Sequence, residues 1–268
     1  MAVTGVNFGT GENIPEQGKI NTIPKFINTV FPINECSGGE PVEASTNTSK
    51  TAKTASTKYV PSEKTVKAIA DSWAAKWKIS NKNGEFTKFV RKLYDVASAL
   101  NVTKLNGERD NRFPHKEDQI VDEIMGIFAN ESQFNTKSTS KDNLFHGIFQ
   151  FSAVGMQECE DKEYLKKAGL KKLSMTEFKQ LSRTRQLDYM VEYVKICKKY
   201  YSKIGDNEAI APKQLYAMIN YPKAGKPNTK FNAGTKKNPK MKYSNIIIEQ
   251  KADTIATKQK ERGGIKIV

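Results

Sequence analysis

Between residues 61 and 222 apolar side chains return at intervals of three and four, and this period limits the fold more than any other feature. Val66, Ile69, Ala70, Trp73 and Trp77 trace one face of a helix that Ser62 is placed to cap, with Glu63 in its first turn. After the turn Asn81-Lys82-Asn83-Gly84, a second face runs through Phe86, Phe89, Val90, Leu93, Val96 and Leu100. A polar loop leads into a third helix predicted from about Lys116 to Glu131, with Ile120, Ile124, Ile127 and Phe128 as its buried stripe. Further helices are predicted over roughly 160–168, 174–181, 183–203 and 212–220, and strand signals are poor. Trp73 and Trp77, and the later Phe134, Phe149 and Phe151, are read as core. The expected fold class is mostly α, with a helical domain over residues 61–222.

Outside that window the period fails. Residues 1–37 scatter apolar groups between Pro15, Pro24 and Pro32, which suits an extended or docking arm. Residues 38–60 are rich in Ser, Thr, Lys and Ala and bury too little to offset ordering entropy, so they read as a low-complexity linker. Residues 223–268 form a basic tail in which Ile247, Ile248 and Ile255 suggest a helix over 244–260. A hydrophobic share of 37 % suffices for a core of about 150 residues but not for 268 evenly packed ones.

The formal net charge is +15, from 44 basic and 29 acidic residues, and it is unevenly spread. Residues 1–60 hold five of each sign, whereas 221–268 hold twelve basic and three acidic. Such a surface favours anionic partners: nucleic acid, an acidic membrane face or a cell-wall polymer. The tail over 223–268 is the part expected to bind anionic polymers. No run of 18 apolar residues exists, so no membrane-spanning helix is expected. The first residues lack the basic-then-apolar pattern of a secretory signal. Cys36, Cys159 and Cys197 are odd in number and far apart, as are His115 and His146, so neither a metal site nor a cofactor is expected.

One stretch carries chemistry. Glu131 follows Ile127, Ile124 and Ile120 by four, seven and eleven residues and so projects to the same side of the third helix. An ionised carboxylate on an apolar face is costly, and the negative end of the helix dipole acts in the same direction. Both favour the held proton that a general acid needs.

The surrounding residues extend this. Glu131-Ser132-Gln133-Phe134, followed after a polar loop by Gly147-Ile148-Phe149-Gln150-Phe151, resembles the E-S-x-F … G-L-x-Q-F signature of lysozyme-like lytic transglycosylases. The Gly-Ile-Phe-Gln-Phe form is similar to that of phage virion enzymes. Leu181 to Tyr189, containing Gln186-Leu187-Asp188-Tyr189, resembles the helix that follows in that family, and Leu215 to Pro222 resembles its last core helix. The resemblance spans about residues 116–228, some two-fifths of the chain. The chain departs from the family at Ser152-Ala153-Val154-Gly155, where relatives carry Met-Pro-x-Thr, and at Tyr221-Pro222-Lys223-Ala224-Gly225, where they carry Tyr-Asn-Ala-Gly.

The resemblance implies a lysozyme-like helical domain that cleaves the β-1,4 bond between MurNAc and GlcNAc in peptidoglycan glycan strands, as a lytic transglycosylase or a muramidase. Glu131 would be the single catalytic residue, acting first as acid and then as base. The substrate's own N-acetyl group would assist, and its 6-hydroxyl would attack in place of water. Asp142 is the only other acid between Glu131 and Gly147, and nothing in the pattern places it as a second catalytic group. Ser132 would orient Glu131, Gly147 would leave backbone space for the glycan, Gln150 would hold the sugar, and Tyr221 would contact substrate. The implied setting is a phage virion or another injection particle, docked through residues 1–60, acting in the bacterial wall or periplasm. The competing expectation is a structural or DNA-contacting virion component whose lysozyme-like domain is a non-catalytic scaffold.

Overall fold

The chain is mostly helical, and four of its helices each start where a serine hydroxyl meets the first free amides. A computed structural model describes residues 59–234, 238–265 and 267. The Ser62 hydroxyl accepts from Thr65 N (3.0 Å) and starts α1 (Glu63–Trp77). Asn81 closes the turn before α2 (Glu85–Ala99), its Oδ1 accepting from Phe86 N at 2.9 Å. Ser152, Ser174 and Ser182 cap α4 (Ala153–Asp161), α6 (Met175–Gln180) and α7 (Arg183–Ile196) in the same way. The short α5 (Tyr164–Lys167) stands between α4 and α6, and α7 runs on into a π-helical turn over Cys197–Ser202. α8 (Pro212–Asn220) carries proline in its first turn. The helix expected over 160–168 is thus a correction: α4 ends at Asp161, Glu163 turns left-handed (φ 58°), and only the single turn of α5 follows.

α3 (Lys116–Glu131) has the predicted limits but not the predicted one-sided burial, since every residue from Asp118 to Ala129 is buried. Its sequence stripe faces α1 and α2, and its opposite face is covered by α9 (Ser244–Arg262). The two helices cross closely because Gly126 has no side chain. A Cβ there would lie 3.1 Å from Ile255 Cγ2 and 3.3 Å from the Ile255 carbonyl oxygen. Ile255 and Ile265 belong to the main core, while Ile247 and Ile248 pack with Ala217, Ala224 and Phe231 in a smaller cluster.

The polar residues on α3 are buried with partners, as burial requires. Asp118 accepts from Tyr94 Oη (2.8 Å), Tyr59 Oη (3.0 Å) and His115 N (3.1 Å). Asp122 accepts from Trp73 Nε1 (2.7 Å), Gln259 Nε2 (2.7 Å) and Arg262 Nη2 (3.1 Å). Glu123 accepts from Asn106 N (3.0 Å) and Gln119 Nε2 (3.1 Å), and burial pushes its carboxyl up to about 7.

Two boundaries therefore move. Residue 222 is not the end of the domain, because the segment expected as a tail supplies α9 to the core. Residue 60 is not the end of a linker, because Tyr59 is already bonded to Asp118. The arm over 1–37 and the linker up to residue 58 lie outside the described residues.

Two small hairpins complete the architecture. β1 (Phe145–His146) pairs antiparallel with β2 (Phe151–Ser152), Phe145 opposite Ser152. β3 (Lys230–Asn232) pairs antiparallel with β4 (Met241–Tyr243), Phe231 opposite Lys242. Trp73, Phe134, Phe149 and Phe151 are buried as expected, whereas Trp77 is only half-buried against the same core. Among the described residues no helix is long and apolar enough to cross a membrane.

Candidate functional site

Glu131 is the last residue of α3, and the chain reverses sharply just after it. Gln133 (φ 53°) and Phe134 (φ 63°) both adopt the left-handed region. What holds them there is the Phe134 ring, fully buried against Phe86 (5.3 Å between centroids), Trp73 (5.9 Å) and Trp77 (6.0 Å). Arg183 Nε adds a hydrogen bond to the Phe134 carbonyl at 2.7 Å. This anchor leaves Glu131 half-buried at the open end of α3. The enclosed setting expected for Glu131 is realised instead at Glu123, which is occupied in holding the loop at Asn106.

The partners of Glu131 come from elements distant in sequence. The Tyr216 phenol, on α8, donates to Glu131 Oε1 and accepts from Asn130 Nδ2 at 2.6 Å. Burial, and then the charge of Glu131, push the Tyr216 phenol well above its ordinary value, so it stays a donor. Lys251, on α9, places its ammonium over the Tyr216 ring, 4.1 Å from the centroid. Burial pulls the Lys251 ammonium down from its ordinary value, the Glu131 carboxylate opposes that, and Lys242 adds to it. Lys242, on β4, donates to Tyr221 Oη at 2.8 Å and lies over that ring at 4.6 Å. Neither Tyr216, Asn130, Lys242 nor Lys251 stood out in the sequence. Nothing local in the sequence marks the Tyr216 hydroxyl as facing Glu131.

The remaining candidates build the loop that leads into β1 and β2. Ser132 Oγ donates to Ile148 O (3.0 Å) and Phe128 O (3.3 Å), so it ties this loop to α3, and it makes no hydrogen bond to Glu131 among the described residues. Gln150 is half-buried and left-handed (φ 56°), with Nε2 donating to Gly147 O (3.1 Å) and Ser138 Oγ (3.2 Å). The half-buried Tyr221 lies one residue beyond α8, its ring 5.8 Å from that of Phe231. The side-chain hydrogen bond of Glu131 therefore runs to α8, whereas Ser132, Gly147 and Gln150 are brought together with one another.

Gly147 (φ 76°) owes its place to a close approach inside the fold. A Cβ there would lie 2.5 Å from Gln186 Oε1 and 2.7 Å from Phe178 Cε1. Gln186 is the unpredicted hub of this loop, fully buried, accepting from Ile148 N (2.9 Å) and donating to Thr136 O (3.0 Å) and Phe178 O (3.1 Å). Gly147→Ala is accordingly expected to lower stability by on the order of 1–3 kcal/mol, read as a shift of the urea midpoint. An unchanged midpoint would mean that the loop yields freely.

Asp142 is exposed and closes its own turn, taking the Ser140 hydroxyl and Leu144 N (3.3 Å). The Ser140 hydrogen bond holds its carboxyl below the ordinary carboxylate range, so it stays ionised near neutral pH. Away from Glu131, a concavity of about 310 Å³ lies between α2 and α7. Its Asp188 is already paired with Lys92 (3.1 Å) and Arg185 (2.9 Å). No family model, curated protein or solved structure matches the chain.

Proposed function

We propose that the chain cleaves the β-1,4 bond of peptidoglycan glycan strands with Glu131 as its one proton-transferring group, as a lytic transglycosylase or muramidase carried by a phage virion or another injection particle. The observation that carries this reading is the fixed pose of Glu131. Tyr216 holds Oε1, and no hydrogen bond among the described residues reaches Oε2, which remains to meet a glycosidic oxygen. Chemically, Oε2 gives its proton to the leaving oxygen, and the carboxylate left behind keeps the Tyr216 hydrogen bond and gains the field of Lys251. The same carboxylate then takes a proton from the attacking hydroxyl. A preorganised donor beside the developing charge suits the first of these steps, because no group has to move. The commitment of Asp142 to its turn supports a mechanism with a single carboxylate. Docking of residues 1–60 to the particle is part of the same proposal.

Zymography on purified peptidoglycan, with mass analysis of the released fragments, tests it. The expected result is clearing, with anhydro-ended products for a transglycosylase and reducing ends for a muramidase. A folded protein that leaves the glycan intact but shifts DNA in a salt-sensitive manner would overturn it in favour of a non-catalytic virion component.

A further inference from the structure

We infer that the outer face of the β3–β4 hairpin, together with the first turn of α9, is a docking surface for an anionic lipid bilayer, with Met241, Tyr243 and Ile246 entering the lipid and lysines around them holding its headgroups. This is independent of the glycan-cleaving reading, since Glu131 takes no part in it. The surface lies on a membrane and does not cross one.

Among the described residues six large apolar side chains are exposed, and three of them fall close together: Met241 (52 % exposed), Tyr243 (51 %) and Ile246 (57 %). Single exposed apolar residues are ordinary, whereas a cluster rimmed by polar groups marks a contact surface. Local packing holds these three outward. Met241 and Tyr243 are two apart on β4 and share a face. Lys242 between them turns the other way, donating to Tyr221 Oη at 2.8 Å, with the buried Phe231 opposite it. Burial of Ile247 and Ile248 fixes the rotation of α9 and leaves Ile246 outside. Thr229 N donates to Ser244 Oγ (2.8 Å), Ser244 N to Thr229 O (2.9 Å) and Asn228 N to Asn245 Oδ1 (2.7 Å), so hairpin and helix start form one fixed surface. Polar side chains at positions 241, 243 and 246 would leave all of these contacts intact, so folding does not account for the apolar ones.

The charge around the patch selects the partner. Residues 223–243 hold seven lysines and no acid. Lys230 stands opposite Tyr243 in the hairpin register, its ammonium 5.4 Å from the centre of that ring, and Lys240 is exposed directly before Met241. The first acid after them, Glu249, is drawn to Lys213 at 2.9 Å. An anionic bilayer offers matching layers: lipid phosphates for the lysines, the interfacial zone for the Tyr243 phenol, and acyl chains for Met241 and Ile246. Nucleic acid or a wall polyanion would satisfy the lysines but leave Met241 and Ile246 nothing apolar to meet.

Flotation of the full-length protein with lipid vesicles tests this. The protein is expected to rise with vesicles of mixed phosphatidylcholine and phosphatidylglycerol and to stay behind with phosphatidylcholine alone. Met241→Ser, Tyr243→Ser and Ile246→Ser combined in one chain should weaken binding to the anionic vesicles about tenfold or more. The melting temperature of that variant should be unchanged, as should its retention on heparin, a polyanion without an apolar layer. Lys230→Gln with Lys240→Gln should weaken both kinds of binding, and so should added salt. In a Tyr243→Trp variant, brominated lipid should quench the added indole fluorescence, which reports entry into the bilayer. Absence of flotation, or equal flotation with neutral vesicles, would overturn the inference. Undiminished flotation of the triple serine variant would also overturn it, because attachment would then be electrostatic alone. If the intact chain instead self-associates in solution and the triple variant does not, the face is a contact between copies and the inference falls.

Discussion

Removing residues 244–268 is expected to abolish the cooperative unfolding transition of the whole domain. The deleted segment contains α9, which covers one face of the central helix α3 and brings Ile255 to the main core, and Ile265 just beyond it, which packs in the same core. Its removal also takes Arg262 and Gln259 from Asp122, leaving a fully buried carboxylate with Trp73 Nε1 as its remaining hydrogen bond among the described residues. Removing one partner of a buried ion pair costs about 3–5 kcal/mol, and each lost core isoleucine about 2–5. Domains of this kind have only about 5–15 kcal/mol in total. Thermal melting followed by circular dichroism provides the measurement. A truncated protein melting within a few degrees of the intact chain would show that α9 is dispensable. Arg262→Met separates the two contributions, since it keeps the helix while removing the guanidinium that faces both Asp122 and the Trp73 ring.

Glu131→Gln should lower turnover on peptidoglycan by at least ~10²-fold, the usual cost of losing a general acid, with the melting temperature nearly unchanged. The glutamine has the same shape, and its amide oxygen can still accept from Tyr216, so the α3–α8 junction persists. Release of soluble glycan fragments from purified walls is the readout. Turnover within about tenfold of wild type would remove Glu131 from the mechanism. Tyr216→Phe provides a graded comparison: it deletes the donor to Oε1 and leaves Asn130 Nδ2 without its acceptor, so rate and stability should both fall.

What the sequence determined by itself is local. Ser62 caps α1, α3 spans Lys116–Glu131, and Phe86, Phe89, Val90 and Leu93 are fully buried, all as their spacing predicts. A cap and a helical period depend on residues within a turn or two of each other, so one strand of text contains them. Glu131 was legible as a candidate for the same reason. Its surroundings were not. Tyr216 lies 85 residues away and Lys251 further still, and only the packing of α8 and α9 against the end of α3 brings them there. In the sequence α3 looks one-sided, because its polar positions, Asp118, Asp122 and Glu123, resemble a solvent face. They are buried because Tyr94, Arg262 and Asn106 reach them from elsewhere in the chain. By composition residues 223–268 look like a tail, yet a helix with Ile247, Ile248, Ile255 and a terminal Arg262 becomes core once another helix offers Gly126 and Asp122 to receive it. Composition counts side chains, whereas only tertiary structure decides which of them meet, because burial and pairing are properties of contacts between distant segments.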